Sequence, residues 1–86
     1  MYIGKFQKTI NKCKENDMKY IIYTNIPERI EAGATSYMKL NSNSANYRLS
    51  INEMDDDGVE FKIDIRGAIS YVVIPYENIL CVEMFN

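Results

Sequence analysis

The sequence predicts an α+β, mainly β domain in which one N-terminal helix precedes a small, partly open antiparallel β-barrel. Three observations lead there. Apolar residues recur at spacings of three and four only near the start of the chain. Beyond that stretch, short runs rich in Val, Ile, Tyr and Phe alternate with polar residues at a period of two. Between those runs lie clusters of Asn, Asp, Gly and Pro that turn a chain back on itself. With 86 residues there is material for one compact unit and none for a second, because domains usually hold roughly 100 residues or more.

Taken in order, Ile3, Phe6, Ile10 and Cys13 share one face while Lys5, Lys8, Lys12 and Lys14 fall mainly on others, which predicts an amphipathic helix over 3–16. Asn16-Asp17 ends it, since both side chains compete for backbone groups. KYIIYTNI predicts a first strand over 19–26, closed by Pro27, which has no N–H for a ladder. PERIEAGATS has no sustained period and reads as a connection over the surface, with room for one helical turn. A weakly alternating strand over 36–40 leads into NSNSAN, a turn-forming cluster that would close a loose hairpin with a strand over 46–52. Tyr47, Leu49 and Ile51 would face the core from that strand.

Asp55-Asp56-Asp57-Gly58 lacks the alternating oxygen ligands and terminal glutamate of a calcium loop and is expected to be a hairpin turn. The clearest alternation follows over 59–66, with Val59, Phe61, Ile63 and Ile65 inward and Glu60, Lys62, Asp64 and Arg66 outward. Gly67-Ala68 would turn the chain into a strand over 69–74, Pro75 interrupts it, and a last strand runs over 79–85. Short turns between strands and a single leading helix favour a sheet that curls, with the helix over one opening; a flat sheet backed by the helix is the alternative.

Composition narrows the function classes. The chain is 47% hydrophobic and 26% charged, which is the balance of a folded globular protein. No apolar run approaches the ~20 residues that span a bilayer, and MYIGKFQKTINKCKEN has no secretory core, so a cytoplasmic location is expected. Cys13 and Cys81 make no disulfide framework and are expected to be reduced thiols. The net charge of −2 is uneven: +3 over residues 1–20, +1 over 21–52 and −6 from Glu53 onward. Opposed poles can steer a charged partner, although a solvated helix face and an acidic loop account for the same distribution.

With no histidine, nucleophile pairs and metal sites that depend on imidazole are closed to the chain. Neither GxGxxG nor GxxxxGK[ST] occurs, so no phosphate cradle is recognisable. The adjacent carboxylates of Asp55, Asp56 and Asp57 lack the contrasting environments that acid–base work needs. No enzyme, no cofactor and no metal site is therefore expected. Seven tyrosines and a lysine-rich helix suit nucleic acid in principle, but the acidic pI of about 5.0 argues against it.

The stretch NYRLSINEMDDDGVEFKIDIRGAISYVVIPYENILCVE resembles stringent starvation protein B, the adaptor family that delivers tagged substrates to the ClpXP protease. Earlier segments continue the likeness: a leading helix over Lys5 to Lys14, then YIIYTNIP, with VEFKIDIRG and YVVIPYENILCV at the family's later strands. The connection from Glu28 to Asn46 matches least. The resemblance implies an Sm-like small barrel, a homodimer formed through the helix by Ile3, Phe6 and Ile10, and capture of an extended degradation-tag peptide in a groove. The residues matching the groove are Ile63, Asp64, Ile65, Arg66, Gly67 and Ala68, with Met38 and Lys39 as a neighbouring wall. Arg66 stands where the family usually has a small residue, which would narrow the groove or select an acidic ligand through its guanidinium.

The family also carries a flexible tail whose basic-apolar end docks on ClpX, and no such segment is present up to Asn86. Two expectations follow: a peptide-binding adaptor domain, or a domain turned to another task, such as a phage or mobile-element protein that binds and inhibits a host machine in the manner of an anti-CRISPR.

Overall fold

A computed structural model describes the backbone of residues 1–86 and every side chain apart from those at 29 and 30. Helix α1 (Ile3–Glu15) is followed by β1 (Lys19–Glu31), β2 (Ala34–Asn41), β3 (Arg48–Met54), β4 (Val59–Ile65), β5 (Ala68–Ile74), a 3₁₀ turn (Tyr76–Asn78) and β6 (Ile79–Phe85). The strands form two antiparallel three-stranded sheets, ordered β2-β1-β6 and β3-β4-β5. Residues 42–47 carry the chain from the first sheet to the second, and Pro75 with the 3₁₀ turn carries it back. Because β5 and β6 do not pair, the path is a partly open barrel and not a closed one.

The helix ends as its sequence demands. Asn16 donates from its backbone and from its side-chain amide to the carbonyl of Lys12, at 3.1 and 2.9 Å, and Asp17 takes a positive φ of 51°. Phe6, Ile10 and Cys13 are buried on its inner face. They meet a core assembled from Ile22 of β1, Leu40 of β2, Val59 and Phe61 of β4, Ile74 of β5, Tyr76 of the 3₁₀ turn and Ile79 of β6. The Phe6 and Tyr76 rings meet edge to face at 5.8 Å, and the Tyr76 hydroxyl donates to the carbonyl of Asp55 at 2.8 Å. Phe6 and Ile10, expected at a helix-mediated interface, are instead 0% exposed within a single chain, and Ile3 packs half-buried against the same core.

The first hairpin also departs from expectation. β1 continues through Pro27 to Glu31 and pairs directly with β2, so the segment read as a surface connection is mostly strand. Proline is tolerated because pairing with β6 stops at Thr24 and the β1–β2 register shifts on both sides of Pro27. Ala32 and Gly33, with φ of 44° and 84°, form the two-residue turn. The strand expected at 46–52 begins instead at Arg48, and Tyr47 stays outside it, where its hydroxyl accepts from the Asn41 N–H at 2.9 Å.

The Asp55–Gly58 turn forms as expected: Asp55 Oδ1 accepts from the N–H groups of Asp57 and Gly58, at 2.8 and 3.1 Å. Gly58 is required there by close approach, since a Cβ would lie 2.7 Å from the Ile74 carbonyl oxygen.

Candidate functional site

The β4–β5 turn uses Arg66 and Gly67, not Gly67 and Ala68, because Ile65 and Ala68 already pair across the two strands. Both turn residues have positive φ, 52° and 92°, as a type I′ turn requires. Asp64 Oδ1 accepts from the Gly67 N–H at 2.7 Å and fixes the turn. Facing it is the 42–47 connection, held by short polar side chains: Oδ1 of Asn41, the last residue of β2, accepts from Asn43 N–H at 2.8 Å, and Ser44 Oγ from Asn46 N–H at 3.1 Å. Ser42 ties the connection to β1, exchanging bonds with Tyr20 at 2.8 and 2.9 Å.

Between the turn and the connection lies an open concavity of about 710 Å³, lined by Ser44 to Arg48 on one side and Asp64 to Gly67 on the other. A smaller hollow of about 440 Å³ continues it along β3 and shares Ser44, Tyr47, Arg48 and Asp64. Arg48 and Asp64 are register partners on neighbouring strands. The lining thus offers two guanidinium groups, one carboxylate already engaged with the turn, the Tyr47 ring and Ile65, which is 51% exposed. Arg48 and Arg66 give it the planar, always-charged forks that suit a carboxylate.

Of the residues expected from sequence, Asp64, Ile65, Arg66 and Gly67 are brought together here. Ala68 opens β5 directly after the turn, outside the lining, and Ile63 packs half-buried on the core between Leu49 and Ser70. Ile65 does not continue the inward row of β4 into the core, since the strand outruns it. Met38 and Lys39 form no wall of this concavity. They lie on β2, in the other sheet: the Met38 carbonyl accepts from Thr24 Oγ1 at 2.7 Å, and Lys39 Nζ stands 5.9 Å from the centre of the Tyr23 ring. Ser44, Ala45, Asn46, Tyr47 and Arg48 were not expected at a site, because NSNSAN signals a reversal without saying which sheets it joins.

Of the two free thiols, Cys81 is exposed on β6 and Cys13 is buried on the inner face of α1. Burial raises the pKa of the Cys13 thiol, against a smaller lowering by Lys12, which keeps it protonated. Among the described residues no three His, Cys, Asp or Glu side chains are gathered as a metal ion requires, and no helix is long and apolar enough to cross a membrane.

Fold and concavity together define a small α+β domain whose partly open barrel presents a cationic hollow between one connection and one hairpin. Comparison with protein-family models, with curated proteins and with solved structures finds no match for the chain.

Proposed function

We propose that this is a non-catalytic, adaptor-type recognition domain that works in the cytoplasm. It holds an extended, carboxylate-bearing degradation-tag peptide and presents the tagged protein to a protease of the ClpXP type. The observation that carries this reading is the pairing of Arg48 and Arg66 on opposite sides of one open hollow, with Tyr47 and Ile65 supplying apolar contact between them. An extended peptide needs such a shallow trough, apolar side pockets and a few fixed charges. The resemblance of the 46–83 stretch to stringent starvation protein B points the same way.

The test is fluorescence anisotropy of a labelled degradation-tag peptide titrated with the purified chain. Saturable binding is expected, lost with a scrambled peptide and weakened about 10- to 100-fold by Arg48→Ala or Arg66→Ala, the range for losing a charge-assisted hydrogen bond. Lys39→Ala, in the other sheet, is expected to leave it unchanged. Absence of saturable binding far above micromolar concentrations would sink the tag-adaptor reading and leave inhibition of a host machine as the reading to pursue by pull-down.

A further inference from the structure

Four strands lie at sheet edges: β2 and β6 in one sheet, β3 and β5 in the other. Exposed edges are ordinarily blunted by a charge, a proline or a bulge, because their free N–H and C=O groups will pair with any strand that reaches them. β2 carries Lys39, β6 carries Glu83, and β3 carries Arg48 and Glu53 with a register shift between Ile51 and Glu53. β5, AISYVVI, has none of these devices, and its seven residues pair with β4 in unbroken register.

The open edge of β5 is also apolar. Because Ile65 and Ala68 close a two-residue turn as a hydrogen-bonded pair, the alternation of an antiparallel ladder aims the N–H and C=O groups of Ile69, Tyr71 and Val73 away from β4. The side chains of those three residues are 51%, 54% and 64% exposed.

We propose that β5 is a homodimer interface: two copies pair their β5 strands antiparallel about a two-fold axis at Tyr71, joining two β3-β4-β5 sheets into one. Four features favour a second copy as the occupant. The exposed row is self-complementary in this register, with Ile69 opposite the partner's Val73 and Tyr71 opposite the partner's Tyr71, the aromatic and β-branched pairs that stabilise sheets. The other face matches by size, since Ala68 meets Ile74 and Ser70 meets Val72. Charge matches too. The antiparallel arrangement brings the Arg66 end of one β5 towards the Ile74 end of the other, where Asp55 and Asp57 lie beside Gly58 and Val73. Centring on Tyr71 pairs every residue from 68 to 74 with a residue of the same strand, so Pro75, which has no N–H, is never required to donate.

The test is mass by sedimentation equilibrium, with far-UV circular dichroism confirming the fold of each variant. The native chain is expected at twice its 10.0 kDa and Tyr71→Lys at the single-chain mass, since two ammonium groups would face each other at the axis. In a Cys81→Ser background, Tyr71→Cys is expected to cross-link into dimers on mild oxidation. The two Cα atoms would lie about 5.5 Å apart, within disulfide reach. Tyr37→Cys, equally exposed on β2, is expected to remain uncross-linked. A native chain of single-chain mass at the highest concentration reached, or a dimer unaffected by Tyr71→Lys, or cross-linking no faster at 71 than at 37, would overturn the proposal.

Discussion

Arg66 occupies a position that its own backbone disfavours. At φ 52° its Cβ crowds the following carbonyl, which glycine avoids and asparagine tolerates. Arg66→Asn is therefore expected to stabilise the fold by about 1 kcal/mol, read as a higher urea midpoint with unchanged slope, while weakening peptide binding; stabilisation without loss of binding would remove Arg66 from the site. A second residue carries its own pH signature. Burial, with the negative charge of the Cys13 thiolate at alkaline pH as a lesser cause, pushes the Tyr20 hydroxyl up from 10.0 to about 12. An unfolded chain ionises this tyrosine first, so the stability it contributes is complete below about pH 10 and is lost as pH rises through about 12. The difference corresponds to roughly 2 to 3 kcal/mol. Urea unfolding at successive alkaline pH values should show that decline, and Tyr20→Phe should flatten it; an unchanged slope in the variant would assign the loss to other groups.

At the scale of elements, α1 is the covering layer of the barrel, and Phe6 is its anchor. Phe6→Ala should cost about 3 to 5 kcal/mol, a large share of the roughly 4 to 13 kcal/mol that a chain of this length holds. Phe6→Asp should unfold the chain outright, seen as loss of the far-UV signal, whereas a folded Phe6→Asp monomer would return α1 to the role of an interface. The helix itself was legible because its spacing of three and four is local, and β4 because its alternation is uninterrupted over seven residues. The β1–β2 hairpin was not. Pro27 signals a strand end, but at a place where β6 has already parted from β1 the missing N–H deprives nothing, and only the tertiary pairing reveals that. Ala32 hid the turn as well, since alanine seldom takes positive φ. Half of the site was readable for a similar reason: Asp64 to Gly67 is a local strand-and-turn signal, whereas Arg48 joins it only through the β3–β4 register, which no local pattern states.

At the scale of the whole molecule, the two sheets share no strand pairing, yet they do not make two folding units. Their buried residues form a single cluster in which α1 supplies Phe6 and Ile10, the first sheet supplies Ile22, Leu40 and Ile79, and the second supplies Val59, Phe61 and Ile74. Neither sheet has a second apolar layer of its own, because each turns its inner face to the other and to the helix. Loss of one sheet would leave the inner face of the other in water, so the sheets should open together. The chain has no tryptophan and seven tyrosines, spread over α1's flank, both sheets and the returning turn, which makes intrinsic tyrosine fluorescence a reporter of tertiary structure throughout. Urea transitions followed by that fluorescence and by far-UV circular dichroism are expected to coincide in midpoint and slope. Separated transitions would mean that one sheet holds its structure without the other, and that the shared cluster contributes less than the ladders within each sheet.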